Sequence, residues 1–419
     1  MNCSFERTEM RSKEEEEHRM TERERVIQVV DALAPELKTL ALNIHDNPEL
    51  GLQEFKACAW QKELLAKYGF QIEDDFCNLE TAYKAVYKGK KQGPKIAFLA
   101  EYDALPGLGH GCGHNLIAMV AVGCGIACRE FADKYGAEID VIGTPAEETA
   151  GTKVPMSAMG VFKDYDAVMM AHPAFANAES MNTIAMDAYK IEFFGKPAHA
   201  ASAPHEGINA LDAMINFFNL INAMRQETKP DARIHGIITD GGKAANIIPD
   251  YTSASFYIRA NRVADVKKLA ERVRSCAAGA ALGTGCTYKM EYNEENFKDT
   301  CTNRALNDLA VENIQNFVSE PILRLGNIYV PGSSDLGDVS YEAPAIQVVF
   351  KVGENANPMG GAHTPEMVAA AGSEYGMDNG LNFVKGLVMT AVDLMTQPEK
   401  LAAIKEEFSH VNDEPQMTI

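Results

Sequence analysis

Three short apolar runs, each ending in a loop that carries metal-competent side chains, constrain the fold of this chain more than any other feature. Lys95 to Ala100 (KIAFLA) lies between Gly93-Pro94 and a loop that opens with Asp103 and Pro106. Glu138 to Ile142 stops at Gly143-Thr144-Pro145, and Ala167 to Ala171 stops at His172-Pro173, with helix-length segments preceding each. Runs this short, bounded by turn formers, read as buried strands. Strands alternating with helices predict an α/β sheet, mixed and mostly parallel, with helices on both faces and ligands bound beyond the carboxyl ends of the strands.

The flanking segments extend that pattern. Glu22 to Ile44 and Phe55 to Lys67 read as helices on either side of a turn at His45-Asp46-Asn47-Pro48 and Gly51. Leu116 to Cys128, the longest apolar run, falls short of the ~20 residues that span a bilayer and reads as a buried helix. From about Thr183 the order changes to strand (Ala185 to Phe194), helix (Asn209 to Glu227), two strands (Ile234 to Thr239, Ser253 to Ala260), helix (Val263 to Leu282) and strand (Cys286 to Tyr292). That is the β-α-β-β-α-β order of a ferredoxin-like unit, and it predicts an inserted α+β domain over 182–295 between two parts of one catalytic domain, 1–181 and 296–419. Helix returns at Asn303 to Phe317, strand at Ala345 to Val352, and a long final helix region at Leu381 to Glu407.

Composition narrows the function. The 419 residues include 39 Lys plus Arg against 59 Asp plus Glu, a net charge of −20, which excludes electrostatic binding to nucleic acid or to an anionic membrane. With 46% hydrophobic and 23% charged residues the chain is ordinary globular material, long enough for two or three domains. Nine scattered cysteines have no small-scaffold spacing, so no disulfide framework is expected. Met1 to Arg25 is charged, with an acidic run Glu14 to Glu17, and lacks the apolar core of a secretory signal. A reducing cytoplasm is the expected location.

The loop after the first run, Ala100 to Asn115, gathers Asp103, His110, Cys112 and His114, with glycines at 107, 109, 111 and 113 that allow tight turns. Thiolate and imidazole suit zinc and related ions. The second run ends in Thr144-Pro-Ala-Glu147-Glu148, and adjacent carboxylates are costly to bury without a cation, because each raises the other's pKa. One can ligate while its neighbour acts as general base. His172 follows the third run, and His363, in Gly361-Ala-His-Thr-Pro365, follows the last strand. Each feature alone has a plain structural reading: an incidental buried thiol, a solvated helix start, a structural histidine. Their coincidence at four strand ends points to one metal site, which closes only if both sides of the insertion pair into one sheet.

The segments AEYDALP, GCGHN, TPAEE, MMAHP, GKPAHAASAPHEGINALDA, ANIIP, GSSDLGDVS and GAHTPE carry a resemblance that covers nearly everything from about Glu22 to Glu407. The chain resembles the metal-dependent amidohydrolases and dipeptidases of the aminoacylase and carboxypeptidase-G type. The nearest branch contains hippurate hydrolase, indole-acetyl-amino-acid hydrolases, p-aminobenzoyl-glutamate hydrolase and β-alanyl-lysine dipeptidase-like proteins. The resemblance implies two divalent ions, zinc or manganese with cobalt or nickel also acceptable, bridged by Cys112 and completed by His114, Glu148, His172 and His363. It makes Glu147 the general base for a metal-bound hydroxide that hydrolyses the amide of a small dipeptide or N-acyl-amino acid. It gives Asn246 and Arg259 the substrate carboxylate, and Asp103 the orientation of a ligand. It implies a homodimer formed through the inserted domain, which closes over substrate, with His199 stabilising the oxyanion in the partner subunit's site. His110 receives no role, and Asn115 inclines the substrate toward the dipeptidase-like and aminobenzoyl-glutamate-like members. Two rival readings are a thiol hydrolase, with Cys112 as nucleophile and His114 as its base, and a non-catalytic metal- or ligand-binding subunit. The first leaves the distributed Glu and His residues without purpose. The second is at odds with retention of Glu147 and the whole ligand set.

Overall fold

A computed structural model of the chain describes residues 20–354 and 361–412; Cys3 and the acidic run Glu14 to Glu17 lie outside the described residues. The first part contains α1 (Glu22–Asp46), α2 (Phe55–Lys67), β1 (Gln71–Asp74), β2 (Tyr83–Lys88), β3 (Lys95–Ala100), α3 (His114–Tyr135), β4 (Glu138–Gly143), α4 (Lys153–Ala158) and β5 (Ala167–Ala174). Next come β6 (Asn182–Thr183), β7 (Ala185–Phe194), α5 (Ala210–Met224), β8 (Arg233–Asp240), β9 (Tyr251–Ala260), α6 (Val263–Thr284) and β10 (Thr287–Tyr292). The last part holds α7 (Arg304–Gln315), β11 (Tyr329–Val330), α8 (Leu336–Ser340), β12 (Ala345–Lys351), α9 (Pro365–Ala371), α10 (Glu374–Thr396) and α11 (Pro398–Ser409).

The larger sheet runs β1-β2-β4-β3-β5-β12. Its four strands β4, β3, β5 and β12 are parallel, and the β1–β2 hairpin adds an antiparallel edge. One face is covered by α1, α3, α7 and α10 through Leu37, Val120, Ile314 and Val384, and the other by α4 and α8 through Met156, Leu336 and Val339. The apolar run Leu116 to Cys128 lies within α3, a 22-residue helix long and apolar enough to cross a bilayer. Of the residues in its most apolar stretch, 89% are buried between the sheet and neighbouring helices, so the apolar side chains serve the core.

The smaller sheet, β10-β7-β9-β8, is antiparallel throughout and carries α5 and α6, with its own core around Phe193, Phe217, Phe256 and Val273. The first strand sits between the fourth and the third, the ferredoxin-like arrangement that the element order predicts. Where the chain enters and leaves this sheet, β6 pairs in parallel with β11, and Met186 and Phe297 exchange backbone hydrogen bonds at 2.8 and 2.9 Å.

Three elements depart from the sequence reading. The final helix region is two helices, because Pro398 has no N–H to continue α10 and instead opens α11. Strand β5 runs past His172-Pro173 to Ala174; β3 pairs with it only as far as Met169, so the missing N–H of Pro173 interrupts no ladder on that side. The β1–β2 hairpin had no counterpart in the sequence pattern.

Candidate metal centre and catalytic cleft

The carboxyl ends of β3, β4 and β5 lie side by side, and the loops that leave them build the site. After β3, Glu101, Tyr102 and Asp103 stay buried, and the loop returns to start α3 at His114. Gly113 makes that return with φ +79°; a Cβ there would lie 2.5 Å from Pro173 Cγ, so only glycine lets the loop pack onto the end of β5. Cys112 and His114 thereby flank a bend facing His172.

After β4 the chain turns at Ala146, a non-glycine residue at φ +58°. Glu54 holds the turn, accepting from Ala146 N at 2.8 Å and from Thr81 Oγ1 at 2.8 Å. Asp103 then locks the two loops together: Oδ1 pairs with His114 Nδ1 at 2.8 Å and Oδ2 accepts from Glu148 N at 3.0 Å. The His114 Nε2 edge is thus aimed inward. Burial opposes charge on both partners, yet their attraction holds the Asp103 carboxyl below its ordinary range and lifts the His114 imidazole well above its own.

The remaining donors close around this edge. His172 donates through Nδ1 to Pro173 O at 2.9 Å, leaving Nε2 3.6 Å from Cys112 Sγ. His363, at φ +62°, is tied through its amide to Gly111 O at 2.8 Å, and its Nε2 lies 3.1 Å from Glu148 Oε1. Donor atoms of Cys112, His114 and His172 all lie within 4.8 Å of one another, as do those of Cys112, Glu148 and His363, and those of His114, Glu147 and Glu148. Cys112, His114 and Glu148 each belong to two of these groups, and a fourth group joins Glu101, Glu147 and Asp335. The donor set fits transition-metal cations: ligand bonds of about 2.0–2.3 Å in tetrahedral array put donors about 3.3–3.6 Å apart. His114 Nε2 is moreover a buried atom with no hydrogen-bond partner. Burial pushes the Cys112 thiol up to about 12, so without a cation it stays protonated and a poor nucleophile. Burial, with the charges of Glu101 and Asp335 behind it, pushes the Glu147 carboxyl well above its ordinary range.

The other residues singled out from sequence separate into two groups. Arg259 reaches the cleft: its Nη1 donates to Ser333 Oγ at 3.0 Å, and its guanidinium lies 5.4 Å from the Tyr257 ring centroid. Ser333 lines a cavity of about 140 Å³ with Glu147, Glu148, Met186, Glu294, Glu295 and Phe297. His199 and Asn246 are exposed on the smaller sheet's side, where Ala200 N donates to Asn246 O at 3.0 Å and Ser202 N to His199 Nδ1 at 3.2 Å. Among the described residues no hydrogen bond links either to the donor cluster. His110 is buried and neutral, its pKa lowered to about 3 by burial, with Nε2 3.1 Å from Ile44 O. Asn115 faces away from the cleft and donates to Ala41 O and Ala371 O at 3.2 and 2.9 Å.

Sequence reading missed Glu54 and a buried ion triad beside the centre. Lys153 Nζ donates to Glu101 Oε1 and to Asp335 Oδ1, both at 2.7 Å. Glu101 and Asp335 stand inside AEYDALP and GSSDLGDVS, but nothing in those segments signals a lysine partner 52 or 182 residues away.

Burial raises the Glu54 carboxyl from 4.5 to about 7. The folded chain therefore holds this proton more tightly than the unfolded chain. The stability it contributes is full below about pH 4.5 and lost as pH rises through 7, a change of about 3 kcal/mol. Urea unfolding of Glu54→Gln, which stays neutral, should show the variant gaining about 2–3 kcal/mol on wild type between pH 5 and pH 8. Parallel pH profiles contradict this assignment.

Comparison with known proteins gives this geometry a lineage. Residues 186–284 match the peptidase dimerisation domain of the M20 peptidases. The mouse Xaa-Arg dipeptidase is 35% identical over 413 residues, covering 94% of this chain and 93% of its own length. A p-aminobenzoyl-glutamate hydrolase subunit from Escherichia coli is 34% identical over 276 residues, 61% of this chain and 57% of its own. A solved Bacillus subtilis structure, a dinuclear metal-binding peptidase of the M20 family, superposes with a TM-score of 0.64 at 19% identity, covering 86% of this chain and 98% of its own, and so shares the fold. Similarity to a dipeptidase along nearly the whole length of both chains decides the matter: this chain belongs to the M20 family and is a metal-dependent enzyme that hydrolyses amide or peptide bonds.

Proposed function

We propose that Cys112, His114, Glu148, His172 and His363 hold two divalent cations, zinc or manganese, and that Glu147 is the general base in hydrolysis of a small dipeptide carrying a free carboxylate. The observation that carries this reading is the place of Cys112 between two donor groups, one with His114 and His172 and one with Glu148 and His363; His114 and Glu148 also fall in two groups, but a thiolate sulfur can bond two ions through one atom, whereas His114 has its Nδ1 held by Asp103 and offers a single nitrogen. When bound, the cations supply Lewis acidity, which lowers the pKa of water and offsets charge developing on the carbonyl oxygen. Glu147 takes the proton of the attacking water and returns it to the leaving amine; a carboxylate whose proton affinity is raised suits both steps.

Arg259 and Asn246 hold the substrate carboxylate, Arg259 through the two-pronged donor geometry that favours such groups. Residues 182–295 act as lid and dimerisation unit. The match to a peptidase dimerisation domain supports this, as does the outer strand β8, which leaves Ile237 67% and Ile238 42% exposed. A homodimer lets His199 reach the partner subunit's centre and stabilise the oxyanion, which accounts for its exposure here. Glu294 and Glu295 line the cavity beside Glu147, and a relative is an Xaa-Arg dipeptidase; both favour a dipeptide with a basic C-terminal side chain over an N-acyl-amino acid.

Glu147→Gln should retain two ions per chain while kcat falls about 10²–10⁴-fold. Chelation should abolish wild-type turnover, and zinc or manganese should restore it. Near-normal turnover in the metal-loaded variant rules out the assigned base, and turnover in metal-free protein favours the thiol mechanism. A second outcome tests the shared site. Mixing inactive Glu147→Gln with inactive His199→Ala and allowing subunits to exchange should restore about a quarter of wild-type activity, since about half the dimers become mixed and one of their two sites is intact. No recovery after verified exchange places His199 outside the partner's chemistry.

A further inference from the structure

Beside the donor cluster lies a triad that the mechanism above does not use. Glu101 is 1% exposed, and Lys153 and Asp335 are 0% exposed. Asp335 is satisfied through both oxygens, Oδ1 by Lys153 Nζ at 2.7 Å and Oδ2 by the Lys153 amide at 3.1 Å. Glu101 is not. Its Oε1 accepts from Lys153 Nζ at 2.7 Å, but its Oε2 makes no hydrogen bond and stands 3.4 Å from His114 Nε2, which makes none either; the two form an ion pair when the imidazole is protonated and are free to share a cation when it is not.

A buried carboxylate oxygen is seldom left without a partner, and two such atoms rarely face each other. Here the partner of one is a nitrogen that the Asp103 contact has already turned toward the proposed metal position. An ion with bonds of about 2.0–2.2 Å to nitrogen and oxygen spans a tetrahedral edge of about 3.3–3.5 Å, which matches this separation. Lys153 explains the asymmetry. Its ammonium occupies one oxygen of Glu101, fixes the plane of the carboxylate and supplies the positive charge that lets Glu101 and Asp335 lie together in a dry interior.

Resting on the two-cation reading, we infer that Glu101 is a further protein ligand, binding through Oε2 the cation held by His114, and that Lys153 is the positioning residue that presents it. The ligand set on that ion then includes groups from the strand end itself as well as from the loop that follows. Lys153 ties that set to α4 and to the segment leading into α8, which follows the inserted sheet in chain order.

Cobalt(II) titration of the dimeric protein tests this apart from turnover. Wild type should bind two ions per chain. Glu101→Gln keeps an oxygen for Lys153 but offers an amide, a weaker ligand, to the ion; one of the two ions should bind at least about tenfold more weakly, with the cobalt absorption bands shifted and the other ion unchanged. Glu101→Asp keeps the charge beside Lys153 while withdrawing the distal oxygen, so it should weaken the same ion and serves if the first variant does not fold. Two ions bound with wild-type affinity and an unchanged spectrum in either folded variant overturn the role of Glu101 and leave the two-cation reading standing. A wild-type protein that binds no cobalt overturns both.

Discussion

Negative charge gathered in a dry pocket is the constraint on which this architecture rests. Asp103, Glu101, Glu147, Glu148 and Asp335, with the thiol of Cys112, converge at the carboxyl ends of β3, β4 and the strands beside them. The fixed cation among them is Lys153, and His114 adds charge only when protonated. Water is largely excluded, so like charges must be offset locally. Lys153 does so for the deep pair Glu101 and Asp335. Among the described residues the shallower donors have no lysine or arginine paired with them, only the histidines of the cluster itself, and divalent cations are the counter-charge their chemistry suits.

Two of the six non-glycine residues at positive φ among the described residues serve that convergence. Ala146 and His363 adopt positive φ although neither is glycine, and each is held there by a specific contact, Glu54 on the amide of Ala146 and Gly111 O accepting from the amide of His363. Pairing of β12 with β5, from Ala345 opposite Val168 to Lys351 opposite Ala174, brings the last part of the chain into the sheet and delivers His363 to Glu148. The smaller sheet is inserted between these two strands, and its crossings at β6–β11 and Met186–Phe297 keep Arg259 over the cleft.

Much of this was legible in the sequence because the chemistry sits where chain punctuation is strongest. The strand-ending signals around Ala100, Gly143 and Ala171 are local, and the donors Cys112, His114, Glu147, Glu148 and His172 follow them closely. The ferredoxin-like order was legible for the same reason: alternation and helical spacing change within a few residues. Long-range partnerships were not. Glu101–Lys153 and Lys153–Asp335 join residues 52 and 182 apart with no periodicity to connect them, and Glu54 reaches Ala146 over 92 residues. Proline placement misled in both directions, since Pro173 is tolerated within β5 while Pro398 divides the last helices. His199 and Asn246 lie exposed and apart from the donor cluster, a placement that nothing in the segments around them signals.

The claim beneath all of this is that Cys112 is shared by two cations. Anomalous X-ray diffraction from crystals of the zinc-loaded protein, collected on both sides of the zinc absorption edge, measures it directly. The account predicts two anomalous peaks per chain, one touching His114, the other touching His363, and both adjacent to the sulfur of Cys112. A single peak, or two peaks of which one lies away from Cys112, contradicts it.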